Sequence, residues 1–248
     1  MRRVFLFTFT LAAVLLSCTT DNAELNEELT TAELKSQTGK ENDAFTKFKV
    51  TIENVTEEGT FTTPFSPGVY LVQKKNSEPL FSPWEADYGE GLEAIAEDGS
   101  ANDLNESLMN NPKVRSHGVF MTPVGASGGA PIFPGDAYEF YIEAKPNDYL
   151  NFATMFIQSN DLFIAPDAQG VPLFDGKEPK SGDITMYLSL WDAGTEVNEE
   201  PGVGPNQAPR QSGPDTGIVE NGVVRLVDDG YTYPEIEEVI KVTISPMY

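Results

Sequence analysis

Short runs that alternate apolar and polar residues recur along this chain, and that rhythm restricts it to few architectures. Lys47 to Val55 places Phe48, Val50 and Ile52 on one side and Lys49, Thr51 and Glu53 on the other. That is the two-residue period of a half-buried strand. Tyr138 to Ala144 repeats the pattern and ends at Lys145-Pro146-Asn147-Asp148, a turn composition. Leu150 to Gln158 follows directly, apolar on most of its surface, and the close spacing of the two runs predicts an antiparallel hairpin. Gly68 to Val72, Val223 to Leu226 and Val239 to Ile244 supply further strands. A longer one is expected over Asp183 to Trp191, with Ile184, Met186, Leu188 and Leu190 on one side. Helical signal is confined to Gly91–Ala96 and Ala101–Met109, where Asn102 or Asp103 could cap the second helix. The expectation is an all-β fold, an antiparallel β-sandwich with one or two short helices.

A single cysteine excludes any disulfide within the chain, so stability has to come from a core, helped if needed by a metal. The formal charge of −23 argues against a nucleic-acid partner and against direct docking on anionic lipid head groups. It suits a solvated extracellular protein, or one that gathers cations.

The one cysteine has an informative position. Arg2 and Arg3 precede an apolar run from Val4 to Leu16, followed by Ser17 and Cys18. A basic start, a short apolar centre and a small residue are the marks of a secretory signal peptide. The run is too short for a comfortable span, which needs about 20 residues. Leu15-Leu16-Ser17-Cys18 resembles a bacterial lipobox, which implies a lipid on Cys18 and a membrane anchor; a plain signal peptide with an incidental cysteine is the bland alternative. Thr19, rather than aspartate, follows the cysteine, which favours sorting to the outer membrane of a bacterial envelope. The organisation expected is a signal peptide over 1–17, a flexible acidic tether over 18–45 and one domain over 46–248.

Two stretches carry the candidate chemistry. Leu190-Trp191-Asp192-Ala193-Gly194-Thr195-Glu196 and Gln158-Ser159-Asn160-Asp161 both place carboxylates at the far end of a strongly apolar run. Calcium holds oxygen ligands at about 2.3–2.6 Å, so two ligand oxygens lie at most about 5 Å apart. Asp192 and Glu196 would be about 13 Å apart in an extended chain. They can share an ion only if the chain reverses between them, which Gly194 permits. Asp161 would close such a site from a neighbouring strand end. Spacing alone leaves open a second reading, in which these acids are solvated loop residues. The segment Ala193 to Gly222, rich in Gly, Pro, Asn and Glu, is a long loop without apolar periodicity, and such loops are usually functional or disordered.

Other constellations are weaker. His117 is the only histidine, which excludes two-histidine metal sites; a structural or surface role suits it better than a serine triad. Gly125-Ala126-Ser127-Gly128-Gly129 lacks the lysine and helix of a phosphate loop and reads as a turn. Trp191 is expected at the edge of the core, and Phe163 either packed or exposed to a partner. Asp161 and Asp192 could also serve as paired acids in glycoside hydrolysis, since their separation is a three-dimensional quantity.

The runs FATMFIQSNDLF, LWDAGTEVNEEPGVGPNQAPRQSG and GVFMTPVGASGGAPIFPGDAYEF resemble the bacterial spondin-domain family, which is similar to the spondin domain of F-spondin. The likeness runs from about Phe48 to Ser245. It implies a C2-like antiparallel sandwich with one calcium held in loops at one end. Carried over by residue, the ligands fall on Asp161, Asp192 and Glu196, the last in place of an aspartate. The resulting expectation is a calcium-binding, lipid-anchored, extracytoplasmic adhesion module without catalysis, whose partner is an extracellular protein or glycan. A cell-envelope hydrolase using the same loop acids and a purely structural envelope protein are the alternatives.

Overall fold

The computed structural model describes residues 45–57 and 61–248. The segment expected to be a signal peptide, Cys18 and nearly all of the expected tether lie outside the described residues. Among those described, no helix is long and apolar enough to cross a membrane.

The chain opens with β1 (Thr46–Asn54) and β2 (Phe65–Lys74), then two short helices, α1 (Leu92–Asp98) and α2 (Asn102–Leu108). Next come β3 (Val114–Phe120), β4 (Ala137–Ala144), β5 (Asp148–Phe156) and β6 (Leu162–Pro166). Four two-residue strands follow, β7 (Val171–Pro172), β8 (Phe174–Asp175), β9 (Glu178–Pro179) and β10 (Gly182–Asp183). A 3-10 turn (Thr185–Tyr187) leads to β11 (Leu188–Asp192). After the long loop come β12 (Arg225–Leu226), α3 (Ile236–Val239) and β13 (Ile240–Met247).

These strands form an antiparallel β-sandwich. One sheet has the order β10-β13-β1-β4; the other runs β12-β11-β6-β5-β2-β3, with β7 beside β5. The two sheets differ in how many faces they bury. In the first, Phe48, Val50 and Ile52 of β1 pair in register with Ile142, Phe140 and Tyr138 of β4, all turned inward. Its outer face is polar, as at the Lys49–Glu139 ion pair (2.8 Å). Each buried apolar side chain of this kind contributes roughly 1.5–3 kcal/mol. The second sheet is covered twice. Leu150, Phe152 and Ile164 face the first sheet, while Ala153, Phe163, Ala165 and Trp191 pack under Leu92, Ile95 and Leu104 of the helices.

That double burial corrects the expected hairpin. β4 pairs with β1, whereas β5 pairs with β2 and β6, so the turn at 145–148 carries the chain from one sheet to the other. A hairpin would have left the second apolar face of β5 in water. The run Asp183–Trp191 is likewise not one strand. Asp183 Oδ1 accepts the Thr185 N–H (2.8 Å), a local turn that competes with the ladder, and the chain crosses sheets again before β11. Neither Asn102 nor Asp103 caps α2; Ala101 holds that place without a side-chain bond. Phe163 is fully buried, edge-on to Phe81, and Trp191 also packs on Phe81 and donates its indole N–H to the Ala165 carbonyl. His117, on β3, faces Asn105 of α2 through Nδ1 (2.9 Å).

Candidate metal centre

Strand pairing brings the two predicted aspartates together. β5 ends in a tight reversal in which the Ser159 hydroxyl donates to the Phe156 carbonyl (2.5 Å) and accepts the Leu162 N–H (3.2 Å). Asp161 is thereby fixed immediately before β6. Asp192 ends β11, and the register sets it opposite Leu162, one residue beyond Asp161. On its other side β12 sets Arg225 opposite Asp192. Both aspartates are fully buried.

The long loop then supplies the rest. Asp192 Oδ1 accepts the Gly194 N–H (2.7 Å), which turns the chain back. Gly194 has φ +71°, and a Cβ there would collide with the Val223 backbone, so this reversal requires glycine. From that point the two limbs of the loop run together: Gly222 N–H donates to Gly194 O (2.6 Å), Glu220 N–H to Thr195 O (2.8 Å), and Val197 N–H to Ile218 O (2.7 Å). Glu220 is thus delivered to the aspartates. One carboxylate oxygen from each of Asp161, Asp192 and Glu220 lies within 4.8 Å of the others. That spacing fits oxygens around a calcium-sized ion.

Glu196 is not in this group. Its Oε1 accepts the Gly217 N–H (2.6 Å) and its Oε2 faces Asn160 Nδ2 (3.4 Å), so it pins the loop. Gly217 lets this carboxylate come close, since a Cβ there would displace the Glu196 carboxylate.

The hydrogen bonds distinguish the two aspartates. Asp161 Oδ2 accepts from the Thr195 N–H (2.8 Å), the Thr195 hydroxyl (3.2 Å) and the Glu196 N–H (3.0 Å). Its other oxygen, Oδ1, is buried with no hydrogen-bond partner among the described residues. Asp192 Oδ2 meets Arg225 (3.1 Å) and Asn198 Nδ2 (3.0 Å), and Asn198 Oδ1 is also buried and unpartnered. Arg225 donates in addition to Glu220 (2.8 Å). The Arg225 guanidinium therefore meets two of the three carboxylates, leaving an excess of negative charge. Burial, reinforced by the nearby Asp192, pushes the Asp161 carboxyl up to about 7. Burial raises Asp192 and Glu196 too, against the pull of the Gly194 N–H and Arg225 on the first and of the Gly217 N–H on the second. An ion at Asp161 Oδ1 would answer both the missing partner and the surplus charge.

Beyond its base the loop is ordered by polar contacts. Gln207 is fully buried; its amide donates to the Glu200 carbonyl (2.9 Å) and its oxygen accepts from Gly202 N–H (3.0 Å) and Arg210. Arg210 also reaches Gln158 (3.1 Å).

Glu220, Arg225, Asn198 and Thr195 are not picked out by sequence reasoning. The one signal that could have found Arg225 is that it interrupts the Val223–Leu226 strand run with a charge. No known protein family matches the chain, and no curated protein does either.

Proposed function

We propose that the protein is a calcium-binding, lipid-anchored binding module of the bacterial envelope, with the ion held by Asp161, Asp192 and Glu220. The observation that carries this reading is the unpartnered, fully buried Asp161 Oδ1 beside two further carboxylates. Three carboxylates with amide oxygens suit a hard cation. A bound ion would join the ends of β5 and β11 to the returning limb of the loop. The raised Asp161 would also suit the acid of a hydrolase pair, but both aspartates are buried, so a polymer cannot reach them where a bare ion can.

The partner would be met by the loop that the ion holds. Val203, Ile218 and Val219 are exposed there. Aliphatic side chains of this kind favour a protein over a glycan, which stacks best on aromatic rings. β1 enters at the opposite end of the sandwich, where Thr46 pairs with Ala144 beside the 145–148 turn.

Calorimetry with calcium tests the site. Wild type should bind, Asp192→Asn should lose most of that binding, and equal binding by the two would overturn the assignment. The anchor is tested by metabolic labelling with a fatty-acid analogue, which should mark wild type and miss Cys18→Ala. Binding to an envelope-protein or glycan array that ignores calcium would count against the loop as the binding surface. Turnover in a glycan-hydrolase screen would restore the enzyme reading.

A further inference from the structure

A second acidic group lies on the helical side of the molecule. Glu93 and Glu97 of α1 and Asp215 of the long loop each present a carboxylate oxygen within 4.8 Å of the others. They line an open pocket of about 560 Å³ whose wall also carries Glu90, Asp98 and Asp103, and no lysine or arginine. Exposed acids at such a place need no explanation by themselves. Glu97 does, because it is 3 % exposed and its Oε1 has no hydrogen-bond partner among the described residues. A buried carboxylate oxygen left without a donor carries the full cost of desolvation. Nearby, the Thr216 hydroxyl, next to Asp215, is also buried and unpartnered.

We propose that Glu93, Glu97 and Asp215 form a separate site for a hard divalent cation of the calcium class, which clamps the long loop onto α1. The donor set is all oxygen, which excludes soft metals. Two of its three carboxylates are exposed, so the ion here keeps water ligands and exchanges more readily than one at Asp161. No guanidinium lies among the lining residues to compete with it. Asp98 strengthens the same junction by accepting from Gln211 Nε2 of the loop (2.7 Å). The site is also adjacent to the first: the Thr195 N–H donates to Asp161 (2.8 Å), and the Thr195 side chain lies against Glu97. This site does not depend on an ion at Asp161, because Glu97 supplies its own unmet oxygen.

The test is calorimetric titration of the purified full-length protein with calcium chloride. Wild type should show a tighter and a weaker class of sites. A variant combining Glu93→Gln with Asp215→Asn, both exposed positions, should lose the weaker class and keep the tighter one; Asp192→Asn should do the reverse. Glu97→Gln, which keeps the shape, should reproduce the loss. Circular dichroism establishes that each variant is folded. Heats in the Glu93/Asp215 variant equal to wild type would overturn this site. A single class lost only in Asp192→Asn would overturn it too. A single class lost only in the Glu93/Asp215 variant would support it while refuting the Asp161 site, and no binding at all would refute both.

Discussion

The space between the sheets and the loop end of the sandwich are both buried, but they are held by opposite means. Between the sheets Phe48, Phe140, Phe152 and Ile244 meet with apolar surface on every side. At the loop end Asp161, Asp192, Glu97 and Gln207 are as deeply buried, and what holds them is hydrogen bonds, the guanidinium groups of Arg225 and Arg210, and the geometry of glycine turns. The first kind of burial is indifferent to ions and pH. The second carries carboxylates whose charge has to be answered, so its stability becomes a function of the solution around it. A protein built this way can keep its scaffold while its loop responds.

That contrast can be broken by experiment, beginning where the effect is largest. Phe152→Ala, in a fully buried position against Phe120, should cost about 3–5 kcal/mol. Urea denaturation should give the same loss with calcium and with chelator. A loss that calcium repaired would mean that the two regions are not separate.

Arg225→Met removes the cation from between Asp192 and Glu220. In chelator it should cost about 2 kcal/mol, through the lost charged hydrogen bonds. Calcium should recover most of that, and the variant should bind calcium more tightly than wild type because a competing charge is gone. Weaker calcium binding would place Arg225 as an organiser of the site rather than a competitor for it.

A smaller effect is expected from pH. The folded-state values for Asp161 and Glu97, about 7 and about 8, lie above those of free carboxyls. As pH rises from about 4 the unfolded chain gives up its protons first, so stability falls up to and through about pH 8, levelling off only once the folded groups are ionised as well. Melting temperature in chelator should therefore drop from pH 5 to pH 8. Saturating calcium, which binds the ionised forms, should flatten the drop. A rise over that range in chelator would sink the account.

The smallest effect is local. Arg210 is the one lysine or arginine between Lys180 and Arg225. With calcium present its bonds to Gly204 (2.7 Å) and Gln158 should keep trypsin away, and chelation should open a single cut there while the sandwich stays intact. Equal cutting under both conditions would mean that the ion does not hold the loop, and equal resistance that the polar contacts around Gln207 hold it unaided.

The same contrast explains what could be read from the residues. The first sheet was legible because a face turned to water writes itself as alternation, as along Lys47–Val55 and Tyr138–Ala144. The second was harder, because strands buried on both faces lose that mark, and a turn composition such as Lys145–Asp148 does not say which sheet the chain enters next. Asp161 and Asp192 could be picked out as acids that end apolar runs. Glu220 and Arg225 could not, since they reach the site only through closure of the long loop and a two-residue strand. Glu97 was hidden inside a helix, with its neighbour Asp215 far along the chain.

The place of β1 also has a mechanical meaning. It lies between β13 and β4 and is bonded to both along nearly its whole length. A pull on residue 45 along the strand axis therefore loads two ladders together, in shear. Interstrand bonds lie across the strand direction, so many must give at once instead of opening one after another as in peeling. A pull applied there and resisted at the far end of the sandwich would therefore have difficulty taking the domain apart.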